Sequence, residues 1–243
     1  MDGEMSIRKG FTITGVNMLD SETCGGFKGR VVYPEEALLL DSVASVLQAA
    51  GPGCVEPDST GIVLGVDGVL DHWKEAYFKG IIDDGPLGAS PMLFPYTSHN
   101  VLAARISIEY GLKGQNLTIT SGPLSFLKAL SAAYGLLFMG VVRTAIVGGV
   151  AGGRVVTMLM GSHYGEVSLR DARESRVDAV NSSRPVVEGI EETFDDFTGL
   201  VNRSLDGKEE TLHTVECYDR SGGVVSFQAG RSCRDAASEV GNA

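Results

Sequence analysis

The chain has 243 residues and a formal net charge of −11, and 43% of its residues are hydrophobic against 21% charged. This composition is typical of a folded domain with a core and excludes a disordered chain. The negative charge repels phosphate backbones and anionic lipid surfaces, which argues against nucleic acid and membrane as partners. The N-terminus carries no apolar signal-peptide core and the cysteines lack C-x-x-C spacing, so we expect reduced thiols in the cytoplasm.

Short apolar runs alternate with helical spacing along the first 160 residues. The pattern predicts strands over 11–18, 60–66, 117–120, 144–148 and 155–160. It predicts helices from Pro34 to before Gly51, over 69–82 and over 123–139. A further helix is expected to be capped by Thr97 or Ser98 and to end at Gly111. Further on, the pattern predicts an exposed excursion over 162–185, weak helix over 186–203, a late strand over 222–227 and a polar tail in the last dozen residues. This alternation predicts an α/β fold with a mostly parallel sheet and helices on both faces.

The most apolar stretch, Leu124–Val150, is interrupted by Lys128 and Arg143, so we interpret it as a buried helix followed by a strand. The glycines form no G-x-G-x-x-G fingerprint, and the pair Gly148–Gly149 indicates close backbone approach instead. His213 and Cys217 lie four residues apart without further ligands. The sequence therefore predicts no cofactor and no metal site.

A set of short motifs within 95–150 carries a family resemblance. The matching pieces are Pro95, Asn100, Ala103–Ala104, Ile106–Ser107, the turn 111–116 and Gly148–Gly149. Together they resemble the N-terminal half of a β-ketoacyl synthase of the thiolase superfamily, with Gln115 in place of the turn's usual proline. The resemblance implies a thiolase-like half-fold (αβα) in one domain over 1–243, with a divergent part over 162–243 and without the C-terminal half of a full ketosynthase.

The same resemblance places the family's nucleophilic elbow. In ketosynthases the catalytic cysteine precedes the glycine that ends the buried helix by a nearly fixed interval, and counting back from Gly140 reaches Pro123. We expect Pro123 to keep the start of the helix, but it cannot form an acyl thioester. The predicted site is thus a degenerate elbow without a catalytic residue, formed by Ser121, Gly122, Pro123, Leu124 and Ser125. The alternative is a serine nucleophile at Ser121 or Ser125, which would need a base within hydrogen-bond reach that the sequence does not identify.

Ketosynthase paralogues without the cysteine are chain length factors, so the resemblance implies a non-catalytic subunit of that type. It would pair with an active β-ketoacyl synthase in fatty acid, polyene or polyketide synthesis, and the partner would contact the acyl carrier protein. Two alternatives stay open: an active acyltransferase or condensing enzyme, and a homodimeric scaffold with the thiolase fold.

Two groups of residues are candidates for that role. The acyl-tunnel candidates, for which plain core packing is the alternative, are Leu124, Phe126, Phe138 and Met139. The dimer-interface candidates are Asn116, Leu117, Thr118, Ile119, Thr120 and Ser121, together with the helix 97–110. In thiolase-fold dimers this strand meets its counterpart across the two-fold axis, and an unpaired apolar edge would be an aggregation risk.

Overall fold

The computed structural model describes residues 11–20, 33–151, 153–161, 167–171, 192–199, 213–218 and 224–231. The strands are β1 (Phe11–Asp20), β2 (Thr60–Val66), β3 (Asn116–Ile119), β4 (Thr144–Ala151), β5 (Arg154–Gly161), β6 (Val167–Asp171), β7 (His213–Tyr218) and β8 (Val224–Arg231). The helices are α1 (Pro34–Ala50), α2 (Asp71–Asp84), α3 (Asn100–Tyr110), α4 (Ser125–Phe138) and α5 (192–199). Two short 3₁₀ turns, Gly85–Gly88 and Phe94–Thr97, lie between α2 and α3.

The described strands form one mixed sheet in the order β3-β2-β4-β5-β1-β6-β8-β7. The α/β class is confirmed, but the expected predominance of parallel strands is wrong. Only the pairings of β2 with β3 and with β4 are parallel, and the other five are antiparallel. One of these antiparallel pairings, β4 with β5, has a local cause: only two residues separate Ala151 from Arg154, and so short a connection requires an antiparallel hairpin.

Helices cover both faces of the sheet, as predicted. Along β2, Ile62 and Leu64 pack into the cluster formed with α1 and α3, whereas Val63 packs into the cluster formed with α4. This alternation follows from the two-residue repeat of a strand, and it explains why β2 is apolar at successive positions. The sheet thus lies between two apolar layers, each closed by helices.

Helix α4 is the most apolar helix of the fold and belongs to the core. Its buried face is formed by Phe126, Leu127, Ala129, Leu130, Ala133 and Leu137. Most of its circumference is therefore in contact with protein, which fits the absence of charges other than Lys128. No helix in the described part of the chain is long and apolar enough to cross a membrane.

Several predicted element ends differ from the structure. Gly111 ends α3 in the left-handed region, at φ 64°, as predicted. The capping prediction is wrong, because His99 precedes α3 without a side-chain cap and Thr97 Oγ1 donates to the carbonyl of Phe94 instead. Strand β6 lies inside the stretch 162–185, so an exposed excursion is wrong for 167–171. Strand β7 was not predicted, and the predicted polar tail lies outside the described residues.

The chain between α2 and α3 is attached to α1 through a group that we call the Glu36 cluster (Tyr33, Glu36, Trp73, Tyr96 and Arg105). Glu36 is only 1% exposed; its Oε1 accepts a hydrogen bond from Arg105 Nε at 2.6 Å and its Oε2 accepts one from the Tyr96 hydroxyl. The Tyr33 ring lies 3.7 Å from the Tyr96 ring and 4.4 Å from the Trp73 ring, measured between centroids. The contacts of Trp73 and Tyr96 with Tyr33 and Glu36 thereby hold 71–97 in place, and the ion pair of Glu36 with Arg105 joins α1 to α3.

By contrast, α2 itself buries none of its side chains. Large apolar side chains point outward from α2 and the turns after it. This apolar ridge consists of Phe78, Ile82, Leu87, Met92 and Phe94, which are 55% to 98% exposed. The ridge is therefore a surface feature of a segment that the Glu36 cluster fixes from beneath.

Candidate functional site

The candidate site is the turn that connects β3 to α4. Ser121, Gly122 and Pro123 are half-buried, whereas Leu124 and Ser125 are fully buried. Gly122 has φ 56°, a left-handed conformation that glycine adopts without strain and that lets the chain reverse before the proline. Helix α4 begins at Ser125, so the expected helix start at Pro123 is two residues too early.

The Ser125 hydroxyl closes this turn from inside. Its Oγ accepts the Ser121 backbone N–H at 2.7 Å and donates to the Gly122 carbonyl at 2.7 Å. A buried hydroxyl that both accepts and donates within its own turn has a structural role, because it satisfies backbone groups of that turn. Ser125 is therefore committed to the geometry of the turn.

The other serine of the turn has a different partner. Lys128 Nζ donates a hydrogen bond to Ser121 Oγ. Helical side chains slant toward the N-terminus of their helix. The Lys128 side chain, in the first turn of α4, therefore extends past Leu124 and reaches the turn before the helix. Sequence reasoning missed Lys128 as a neighbour of Ser121, although a lone cation in an otherwise apolar helix was the available signal.

Glycines allow two strands to press against the first turn of α4. A Cβ added at Gly65 on β2 would lie 2.4 Å from the Ser125 carbonyl carbon and from the Phe126 nitrogen. A Cβ at Gly149 on β4 would lie 2.3 Å from the ring of Phe194 and 3.0 Å from Phe126 Cβ. The predicted close approach of backbones is found at Gly148, where an added Cβ would lie 2.9 Å from the Val156 carbonyl oxygen, whereas the close neighbours of Gly149 are side-chain atoms.

The four acyl-tunnel candidates are divided between the two ends of α4. Leu124 and Phe126 are buried beside the turn, whereas Phe138 and Met139 are 62% and 68% exposed at the far end, about 20 Å away along a helix of this length. The structure therefore does not bring the four side chains together within this chain.

Phe126 instead packs against α5. The ring centroids of Phe194 and Phe197 lie 5.3 Å and 5.4 Å from that of Phe126, both in edge-to-face geometry. An ion pair between Arg154 Nη2 and Asp195 Oδ1, at 2.6 Å, joins the same helix to the start of β5. The two contacts place α5 over the buried end of the candidate site.

The interface candidates lie at one edge of the sheet. β3 pairs only with β2 among the described strands. Leu117 and Ile119 pack toward α4, Asn116 Nδ2 donates to Ser107 Oγ on α3 at 2.9 Å, and Thr118 Oγ1 is buried without a hydrogen-bond partner among the described residues. The strand is thus anchored on both faces, while the described chain leaves one of its two edges unpaired.

The histidines of the described loops and helices lie away from this turn. His99 Nε2 lies 3.3 Å from Lys74 Nζ, and burial, reinforced by the Lys74 charge, lowers the pKa of His99 below its ordinary value. His72 Nε2 lies 3.5 Å from Glu35 Oε1. Within the described ranges, no three histidine, cysteine or acidic side chains are grouped so that they could hold a metal ion. His163 and the His213 side chain lie outside what the structure describes.

Curated proteins with similar sequences belong to polyketide synthases. The chain is 28% identical over 151 residues to the spectinabilin polyketide synthase system protein NorC of Streptomyces orinoci, a match covering 60% of this chain and 6% of that protein. It is 31% identical over 119 residues to the highly reducing polyketide synthase FUM1 of Gibberella moniliformis, covering 49% and 4%. The chain thus spans only a small fraction of these relatives.

Solved structures share the fold. The ishigamide ketosynthase/chain length factor aligns with a TM-score of 0.62 at 15% identity, over 90% of this chain and 98% of that one. A complex of the ketosynthase ApeO with its chain length factor ApeC from Xenorhabdus doucetiae aligns with a TM-score of 0.63 at 15% identity, over 91% and 99%. At this identity the likeness establishes the fold.

The family comparison agrees with the fold. The family model for the β-ketoacyl synthase N-terminal domain matches residues 1–179, which is most of the chain. The chain belongs to the β-ketoacyl synthase N-terminal domain family.

Proposed function

We propose that the chain is a ketosynthase-like subunit of the chain-length-factor type, which pairs with an active β-ketoacyl synthase and does not itself catalyse condensation. The observation that carries the proposal is Pro123 in the turn before α4, next to an edge strand. A proline side chain has no nucleophilic atom, so a thioester intermediate must form on another chain. The two aligned structures named for a ketosynthase together with a chain length factor support the same role.

The free edge of β3 supplies the surface for pairing. The Ile62 N–H donates to the Gln115 carbonyl at 2.7 Å, and Ile62 is in register with Asn116. In a parallel ladder the N–H and C=O of one residue point to the same side, so 115, 117 and 119 bond to β2. The backbone groups of Asn116 and Thr118 consequently point away from β2, toward the edge that a partner strand would occupy.

The negative charge of the chain indicates which of the two subunits contacts the carrier protein. A net charge of −11 repels an acidic carrier protein at long range. Under this proposal the partner ketosynthase makes the carrier contacts and provides the nucleophilic cysteine, while this chain provides interface and tunnel wall. Leu124 and Phe126 are the tunnel candidates buried beside the turn, whereas Phe138 and Met139 are exposed for contact with the partner.

The proposal is tested by co-expressing the chain with a ketosynthase and measuring their dissociation constant. Thr118→Pro removes an outward N–H without touching the β2–β3 ladder, and edge strands tolerate proline there. Loss of the one hydrogen bond donated by that N–H, which contributes about 0.5–1.5 kcal/mol, predicts pairing that is about 2- to 12-fold weaker. The chain's own fold, followed by circular dichroism, should be unchanged.

A matched variant on a different surface makes the test specific. Ile82→Asp changes the centre of the apolar ridge, far from β3, and is expected to leave the dissociation constant unchanged. Weaker pairing with Ile82→Asp but not with Thr118→Pro would refute the β3 interface. A stable homodimer of the purified chain, measured as solution mass without any partner, would favour the homodimeric scaffold instead.

A further inference from the structure

The hydrogen bond between Lys128 Nζ and Ser121 Oγ is not needed to hold the turn together. Ser125 already satisfies the Ser121 backbone N–H and the Gly122 carbonyl. The Ser121 hydroxyl and the Lys128 amine therefore form a separate pair at the N-terminal end of α4. Both residues are half-buried rather than enclosed.

Stability does not account for a lysine at this position. Among the described residues, no carboxylate lies within 4 Å of Lys128 Nζ, whereas the other half-buried lysine, Lys74, pairs with Asp71 at 2.8 Å. The amine also lies toward the N-terminus of α4, where the helix dipole is positive and a cation is destabilising. A half-buried amine kept at that cost next to a hydroxyl is the arrangement that activates a serine.

We propose that Ser121 and Lys128 form a nucleophile and base that accept an acyl group from an acyl thioester. The substrate class rests on the proposed function, because ketosynthase partners work with such thioesters. In the reacting form the Lys128 amine is unprotonated and accepts the Ser121 proton. The Ser121 oxygen then forms a bond to the acyl carbon, the carbon–sulfur bond breaks, and the proton passes from Lys128 to the departing thiolate.

The surrounding backbone suits this step. The Ser125 N–H at the start of α4 donates to the Gly122 carbonyl at 3.0 Å. The N–H groups that follow it in the first turn have no acceptor within the helix and can donate to an oxygen that becomes negative. The product is an oxygen ester on Ser121, so the chain would hold an acyl group without a thiol. Condensation itself stays with the partner, and acyl loading is an activity added to the pairing role.

The test uses the purified full chain and the octanoyl thioester of N-acetylcysteamine. Trypsin cleaves after Lys113 and Lys128, which releases a peptide over 114–128 that contains Ser121 and no cysteine. An octanoyl group found on that peptide by tandem mass spectrometry is therefore bound to oxygen. We expect it on Ser121.

Three variants decide between the outcomes. Ser121→Ala should abolish the adduct, and Lys128→Arg, which retains a hydrogen-bond donor and the tryptic site but cannot act as a base, should slow it about 100-fold or more. Lys113→Arg makes the same change at an exposed lysine and should have no effect. Absence of the adduct in the unaltered chain, its persistence in Ser121→Ala, or equal rates in Lys128→Arg would overturn the proposal. None of these results alters the measured pairing with a ketosynthase, so the two proposals fail separately.

Discussion

Glu36→Gln is the change that best tests how the chain between α2 and α3 is held. The substitution keeps the size of the side chain but removes its charge, so two charge-assisted hydrogen bonds, from Arg105 and Tyr96, become neutral ones. A hydrogen bond to a charged group contributes about 1.5–3 kcal/mol and a neutral one about 0.5–1.5 kcal/mol. Two such losses give a decrease of about 3 kcal/mol in the free energy of unfolding, at the lower end of the range for breaking a buried ion pair.

Urea unfolding measures this loss, because Trp73 is the only tryptophan of the chain and its ring contacts Tyr33 within the Glu36 cluster. With a denaturant slope of about 3 kcal/mol/M, the transition midpoint should fall by about 1 M. Circular dichroism followed in parallel reports whether the rest of the fold unfolds at the same midpoint.

The matched control is Glu56→Gln. Glu56 is 64% exposed and lies 3.4 Å from Arg143, so its ion pair is screened by solvent and the change should stay within about 0.5 kcal/mol. Equal midpoints for the two variants would show that the buried carboxylate does not stabilise this part of the fold, and the reasoning from its hydrogen bonds would be wrong.

Three further predictions concern the Glu36 cluster and the turn. Burial, followed by the hydrogen bond to Glu36, raises the pKa of Tyr96 above the ordinary 10.0, so above pH 10 only the unfolded tyrosine ionises. The free energy of unfolding should therefore fall by about 1.4 kcal/mol per pH unit on account of Tyr96. Tyr96→Phe should show a smaller slope in the same pH series. Gly65→Ala should lower the free energy of unfolding by at least about 3 kcal/mol in thermal melts, since its Cβ meets backbone, while Gly135→Ala, which opens onto free space in α4, should be neutral or slightly stabilising. Phe126→Leu in the complex with a ketosynthase should shift product length by mass spectrometry, and unchanged products from an intact complex would leave this side chain a core residue only.

The sequence located the central part of the fold because each element there carries its own local signal. The seven apolar residues of β2, the left-handed Gly111 after α3 and the apolar face of α4 are readable without tertiary information. The hairpin between β4 and β5 was missed because two adjacent apolar runs do not reveal their direction. Strand β6 has the alternating, partly charged sequence VSLRD, which is equally typical of an exposed loop.

The candidate site was predictable in position but not in chemistry. Counting along the family pattern reached the turn at Pro123, but the contact between Ser121 and Lys128 depends on where α4 begins and on the direction of a lysine side chain. The separation of Phe126 from Phe138, by contrast, already follows from the predicted helix over 123–139 and the helical rise per residue. The residue types predict the turn, whereas the distances between side chains across it depend on the three-dimensional structure.

The position of β1 has a consequence for how the polypeptide reaches this fold. Thr12 is in register with Gly161 and Asp20 with Arg154, and on its other edge Phe11 is in register with Leu169. During synthesis β1 emerges more than a hundred residues before either neighbouring strand exists. The entropy cost of closing that long loop is offset only when β1 pairs with its neighbours, so folding should be slow. Until then a ten-residue stretch rich in β-formers stays available to other chains, and chaperone dependence of the nascent protein is the expected result.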